Sequence, residues 1–159
     1  MAAKIGIACD HAGKELKQLL QEYLAVTEYE VVDYGVSSQT QSSVDYPDYA
    51  ALVAADLSNK KIDRGVLICG TGIGMCITAN KVPGVRAASV WDEFTARMSR
   101  AHNDANIICL GARTLNYHRA CDLLKIWLET PYENGRHQLR LNKIKNLENT
   151  YSGVKDERN

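Results

Sequence analysis

The sequence lacks the features of a secreted, membrane-spanning or disulfide-stabilised protein. No apolar run approaches the length of a membrane span, and no stretch near Met1 resembles a signal peptide. The five cysteines are an odd number and include no C-x-x-C pair. This usage argues against a disulfide framework or a structural zinc site, and it predicts a reducing, cytoplasmic environment.

Net charge is also absent. The 19 Lys and Arg residues are balanced by 19 Asp and Glu residues. A neutral protein has no overall field that attracts nucleic acid or an acidic membrane, so we expect neither as a partner. The chain has 159 residues, of which 45% are hydrophobic, and this fits one globular domain. We place the domain at residues 1–148 and expect a flexible tail over residues 149–159.

Short apolar segments rich in Val and Ile alternate with amphipathic segments along the chain. The apolar segments predict buried parallel strands at residues 4–9, 30–34, 65–69, 85–90 and 106–110. The amphipathic segments predict helices around residues 16–24 and at 48–58, 73–81, 93–101, 117–129 and 136–148. The alternation predicts a single-domain α/β fold, with a doubly wound five-stranded parallel sheet of the flavodoxin or Rossmann kind. Helices would cover both faces, and the last helix would be an extra C-terminal one.

A glycine-rich loop follows the third predicted strand, with glycine at every second position: Gly70, Gly72 and Gly74. It does not match the dinucleotide-binding fingerprint, because Met75 and Ile77 stand where a third glycine is needed, and no Walker lysine follows. Such a turn before a helix can aim backbone N–H groups at an anion or a transient oxyanion. Cys69 lies at its edge, where this field favours a thiolate, and Thr71 adds a hydroxyl. From this loop alone, a catalytic turn and a tightly packed structural turn remain equally open.

The expected topology places a second polar segment beside this loop. In a flavodoxin-like strand order, the first and third strands are neighbours and flank the point where the order reverses. Ligands of open parallel sheets bind beyond the carboxyl ends of the strands at such a point. Asp10 and His11 follow the first strand, and residues 69–74 follow the third. We therefore expect these residues to face one crevice.

Further polar residues suggest acid–base chemistry and phosphate binding. His102 and Asn103 lie between the fourth helix and the fifth strand. Arg136 and Arg140 are four residues apart and therefore project from one helix face. A pair of arginines can grip a phosphate dianion, although a solvated basic face would give the same pattern. Arg113, just after the fifth strand, is a third candidate.

Six motifs in order resemble the type B ribose-5-phosphate isomerase family, which also includes galactose-6-phosphate and allose-6-phosphate isomerases. They are CDHAG, VDYPDYA, LICGTGIGM, ANKVPGVRA, SRAHNDAN and GRHQLR. The resemblance covers roughly residues 4–148. It implies interconversion of ribose 5-phosphate and ribulose 5-phosphate in the non-oxidative pentose phosphate pathway, by ring opening and enediolate proton transfer. Two alternatives stay open: a hexose 6-phosphate isomerase for allose or galactose 6-phosphate, and a non-catalytic sugar-phosphate-binding regulator.

The resemblance also implies roles for individual residues. Cys69 would be the base that moves a proton between C1 and C2, Thr71 would belong to the anion hole, and His102 would be the acid that opens the sugar ring. The substrate contacts would come from Asp10, His11, Tyr46, Gly70, Gly72, Ile73, Gly74, Asn103, Arg113, Arg136 and Arg140.

The chemistry and the topology together predict what else the protein needs. No step transfers hydride and no step strictly requires a metal ion, so we expect no cofactor and a small sugar phosphate as the ligand. A helix over 93–101 would run back across the sheet and leave His102 at the edge opposite Cys69. A site shared between two subunits of a homodimer would reunite them. The family resemblance likewise implies a dimer or a dimer of dimers.

Overall fold

The predicted α/β architecture is confirmed by a computed structural model, which describes residues 2–151. The strands are β1 Lys4–Cys9, β2 Glu30–Asp33, β3 Arg64–Cys69, β4 Ala87–Ser89 and β5 Ile107–Gly111. The helices are α1 Lys14–Ala25, α2 Tyr46–Ser58, α3 Ile73–Ala79, α4 Glu93–Ala101, α5 Tyr117–Glu129 and α6 Arg136–Tyr151, and a single 3-10 turn spans His11–Gly13. All strand pairs are parallel. No helix within residues 2–151 is both long enough and apolar enough to cross a membrane.

Strand order places the carboxyl ends of β1 and β3 side by side, as expected. The order is β2-β1-β3-β5-β4, so β5 inserts between β3 and β4. Cys9 is paired with Ile68, and Cys69 is paired with Gly111. The loops after β1, β3 and β5 therefore leave the sheet at the same edge, which we call the carboxyl edge.

Several element ends differ from the predicted ones. Helix α2 begins at Tyr46, two residues earlier than predicted, because Pro47 is compatible with the first helical turn. Strand β4 is confined to residues 87–89, and α3 ends at Ala79. Helix α6 continues to Tyr151, so residues 149–151 of the predicted tail are helical. The rest of the predicted tail, 152–159, lies outside the described residues.

The core has two halves, one on each face of the sheet. Val66 and Ile68 of β3 pack with apolar residues of α1, α4 and α5. Leu67 and Cys69 pack on the opposite face with residues of α2 and α3. Consecutive strand residues point to opposite faces, so a near-continuous apolar strand serves both halves. The turn after β3 is therefore held in place by the sheet and by helices α2 and α3.

Candidate active site

The thiol of Cys69 lies at the end of β3, and the glycine turn holds it in place. The residue is 5% exposed. The backbone N–H of Gly72 donates a hydrogen bond to Cys69 Sγ over 3.1 Å. The turn therefore holds the sulfur at a fixed position, with one main-chain donor aimed at it.

Glycine is required at position 72 for two reasons. Its φ of +79° lies in the left-handed region, which disfavours other residues. A Cβ there would also lie 3.1–3.2 Å from backbone atoms of Cys109 and Leu110 in β5. The turn therefore crosses the end of β5 closely, and this approach brings the Gly72 N–H within reach of the sulfur. Next to it, the Ile73 N–H donates to Thr71 Oγ1 over 3.3 Å.

The other two glycines of the loop make room for larger side chains. A Cβ on Gly70 would lie 3.4 Å from Cδ and Nη1 of Arg113, so the guanidinium lies directly over the loop. A Cβ on Gly74 would come within 2.6 Å of the Tyr46 ring. The start of α2 therefore packs against the start of α3. A cationic group and an aromatic ring consequently border the loop beside Cys69.

The loop after β1 forms the neighbouring wall. Asp10 is buried, its N–H donates to Ile68 O over 3.1 Å, and its carboxylate accepts the Ala12 N–H over 2.9 Å. The His11 Nδ1 lies 3.2 Å from the carbonyl oxygen of Val44, in the loop that leads to α2. These contacts fix both side chains next to the end of β3. The structure thus brings together Asp10, His11, Tyr46, Cys69, Gly70, Thr71, Gly72, Ile73, Gly74 and Arg113.

The other predicted site residues lie elsewhere on the same chain. His102 ends α4, and its N–H donates to Met98 O over 3.0 Å. It precedes β5, so it lies at the amino edge of the sheet. Strand β5 has five residues, and its four steps of roughly 3.3 Å cover about 13 Å. His102 and Cys69 lie at opposite ends of this strand and are therefore separated by its length. Asn103 follows His102, and its carbonyl oxygen accepts the Arg86 Nε–H over 3.1 Å.

Two residues that the sequence analysis did not single out surround His102. Its ring stacks on that of His137, with centroids 4.1 Å apart and planes 12° apart. Glu133 Oε2 lies 3.6 Å from Nε2 of each histidine. Burial lowers the pKa of His137, and the charges of His102 and Arg136 lower it further. His137 lies within GRHQLR, but nothing in that motif indicates a ring contact with His102.

The part of α6 that carries the predicted arginines begins beside this cluster. Arg136 and Arg140 are exposed and flank His137 along the helix. Further along, α6 borders a groove of about 830 Å³ whose lining includes Arg86, Asn103 and Leu141. The residues lining this groove do not include Cys69 or the glycine turn. The predicted site residues therefore form two groups, one at each edge of the sheet.

The glycine turn at the carboxyl edge of the doubly wound sheet is surrounded by a thiol, a hydroxyl and a guanidinium. This arrangement defines an α/β enzyme with a site for a small anionic substrate. The family comparison makes this class specific. The model of the ribose/galactose isomerase family matches residues 5–144. The chain belongs to this family, and the resemblance seen in the motifs is confirmed.

Relatives and solved structures agree with this placement. The chain is 45% identical to a putative sugar phosphate isomerase of Bacillus subtilis over 145 residues, which cover 91% of this chain and 97% of that protein. It is 40% identical to ribose-5-phosphate isomerase B of Escherichia coli, with 91% and 96% covered. The structure superposes on ribose-5-phosphate isomerase B of Clostridium thermocellum with a TM-score of 0.90 and 46% identity, covering 93% and 99%. The enzyme of Mycoplasma genitalium with bound ribulose 5-phosphate gives 0.89 and 42%, covering 94% and 98%.

Proposed function

We propose that the protein is an aldose–ketose isomerase that interconverts ribose 5-phosphate and ribulose 5-phosphate. The observation that carries the proposal is the Cys69 thiol, which accepts the Gly72 N–H beneath a turn bordered by Arg113. Two relatives named above, from Escherichia coli and Clostridium thermocellum, are ribose-5-phosphate isomerases B, and this favours a pentose phosphate over a hexose phosphate.

The proposed reaction moves one proton between two carbons. The Cys69 thiolate takes the proton from C2 of the open-chain aldose, and the carbonyl oxygen on C1 gains negative charge. The thiol then returns the proton to C1, and O2 becomes the new carbonyl oxygen as its own proton passes to O1. Between these steps, the loop amides and Thr71 stabilise the enediolate. This transfer between the two carbons needs a base and a preorganised anion hole.

Ring opening must come first, since ribose 5-phosphate is mainly cyclic. An acid has to protonate the ring oxygen as the anomeric hydroxyl loses its proton. We assign this acid to His102 of the partner subunit, because His102 of the same chain lies at the other edge of the sheet. Asn103, Arg136 and Arg140 would enter the site with it. Arg113 of the first chain would meet the two arginines at the substrate phosphate.

An exposed apolar surface beside Cys69 supports this shared site. Helix α3 begins at the glycine turn, and its Ile73 and Ile77 are 55% and 57% exposed, one helical turn apart. Trp91 and Phe94, which follow β4, are also exposed large apolar residues. A second copy covering these residues would bury them and could bring its own His102 to the thiol.

A turnover assay with three substrates tests the proposed function. We expect kcat/KM for ribose 5-phosphate to exceed the values for allose 6-phosphate and galactose 6-phosphate. A preference for either hexose phosphate would change the substrate assignment and keep the chemistry. Binding of all three without turnover would instead support a regulator.

Losing either α6 arginine should weaken substrate binding strongly. A charge-assisted contact to a phosphate dianion contributes roughly 1.5–3 kcal/mol, or about tenfold to a hundredfold in affinity. We therefore expect Arg136→Ala and Arg140→Ala to raise KM by this factor and to weaken competitive inhibition by inorganic phosphate. The melting temperature should change little, because both residues are exposed.

Lys145→Ala is the matched control for the arginine variants. Lys145 is also an exposed cation on α6, but it lies nine residues after Arg136 and so about 180° around the helix. Its loss should leave KM unchanged. Wild-type KM and phosphate inhibition in both arginine variants would identify a solvated basic surface and reject the phosphate contact.

A further inference from the structure

A cluster of potential metal ligands lies at the amino edge of the sheet. The ligand atoms of His102, Glu133 and His137 all lie within 4.8 Å of one another. Neither histidine makes a true hydrogen bond to Glu133, because both separations are 3.6 Å. The carboxylate oxygen therefore faces two imidazole nitrogens without being engaged closely by either.

Backbone contacts hold the three side chains near each other. The Glu133 N–H donates to Ala101 O over 3.0 Å, which ties the loop after α5 to the end of α4 next to His102. The two residues between this loop and α6, Asn134 and Gly135, both have φ of +58° and reverse the chain. This reversal turns His137 back toward Glu133. The cluster is thus assembled by three elements of one chain.

The separations suit a small tetrahedral ion. Zinc lies about 2.0–2.2 Å from nitrogen and oxygen ligands, so two donors of a tetrahedral site are about 3.4 Å apart. Both carboxylate–imidazole pairs are 3.6 Å apart, close to that requirement. The stacked rings must tilt to aim both lone pairs at one ion. The His102 side chain is 36% exposed and has room to turn, whereas that of His137 is held in place by burial.

The donor set selects the class of ion. Two imidazole nitrogens and one carboxylate oxygen suit zinc and its neighbours among the divalent transition metals, whereas magnesium and calcium prefer oxygen ligands. Arg136 and Arg140 lie beside the cluster, and their charge opposes a bound cation. An ion held against this repulsion should exchange readily, which favours a reversible effector over a permanent structural metal.

We propose that His102, Glu133 and His137 bind one divalent transition-metal ion of the zinc class, and that the bound ion inhibits the enzyme. The inhibitory part rests on the proposed function, because a metal on Nε2 of His102 prevents this histidine from protonating the sugar ring oxygen. The binding part does not depend on that function.

Metal binding is tested directly on metal-free protein. Calorimetry with Zn²⁺ should give one ion per chain. Co²⁺ should give the visible absorption of a nitrogen- and oxygen-bound ion, without thiolate charge-transfer bands. Glu133→Ala should weaken binding at least about tenfold, since it removes one of three ligands. The control Glu129→Ala removes an exposed carboxylate outside the cluster and should bind like the wild type.

Inhibition is measured separately, relative to the metal-free rate of each variant. Zn²⁺ should slow turnover of ribose 5-phosphate by the wild type and by Glu129→Ala, a chelator should restore it, and Glu133→Ala should resist it. Unchanged binding by Glu133→Ala, or thiolate bands with Co²⁺, would overturn the site. Binding at the cluster without inhibition would overturn the effector role. A protein that binds the ion but isomerises no sugar phosphate would keep the site and refute the proposed function.

Discussion

Replacing Cys69 with alanine should lower the rate of isomerisation by roughly 10²–10⁴-fold, the range expected for loss of a general base. Alanine leaves no group that can accept a proton at the point where the Gly72 N–H now meets the sulfur. Sugar-phosphate binding should survive, because the proposed phosphate contacts lie on other residues. The measurements are steady-state kinetics and ligand calorimetry on the same preparation. A variant that keeps most of its turnover would exclude Cys69 as the base.

Cys76 provides a demanding control for this result. It lies on α3, where its N–H donates to Gly72 O over 3.1 Å. A hydrogen bond with Cys109 lowers the pKa of Cys76 to about 7, although burial opposes the shift. Cys76 is therefore a second thiol whose reactivity the experiment must separate from that of Cys69. We expect Cys76→Ala to retain turnover and to remain sensitive to iodoacetamide, with substrate giving protection. Loss of iodoacetamide sensitivity in Cys76→Ala would mean that alkylation of the wild type does not report on Cys69.

Mixing two inactive variants should recover activity, because Cys69 and His102 lie at opposite edges of each chain. In the proposed dimer, each site takes Cys69 from one chain and His102 from the other. A dimer of one Cys69→Ala chain and one His102→Asn chain therefore contains one site with both substitutions and one site with neither. A purified heterodimer should therefore show about half the wild-type turnover per dimer, starting from parents that are each nearly inactive. The measurement uses differently tagged chains, co-purified and assayed with ribose 5-phosphate.

The matched control pairs Cys69→Ala with Thr71→Val. Both substitutions lie on the same turn after β3, so each of the two sites in that heterodimer contains one substituted residue. No recovery of activity is therefore expected. Recovery in this control would point to exchange or reversion during the assay. A verified Cys69/His102 heterodimer without recovery would place both residues in the site of one chain, contrary to the proposal.

The elements and the turn at Cys69 can be predicted from the sequence, because both depend on local patterns. Apolar periodicity indicates the strands and helices, and the glycine spacing indicates the turn at Cys69. The insertion of β5 between β3 and β4 is not encoded in any local pattern, since the connections are compatible with more than one order. The contact of Tyr46 with Gly74 cannot be predicted from a local pattern either, because it depends on how α2 and α3 pack.

The cluster around His102 shows the same limit more clearly. Glu133 and His137 are four residues apart, but their relation to His102 arises only when the loop after α5 bonds to the end of α4. No periodicity or motif connects residues so far apart in the chain. The Arg136–Arg140 spacing could be interpreted from the sequence because both residues lie on one helix, α6.

The donor to Cys69 belongs to the main chain, and this has a consequence for anyone who wishes to redesign the enzyme. Proline is the one residue without a backbone N–H, and its fixed φ of about −65° does not fit the φ of +79° at Gly72. The environment of the sulfur therefore cannot be tuned by exchanging a partner side chain. It can be tuned mechanically. Gly72 rests on the backbone of Cys109 and Leu110, so a change of bulk behind that part of β5 would lift or lower the amide relative to the sulfur. Substitutions at these two buried positions of β5 are therefore expected to change the reactivity of the Cys69 thiol.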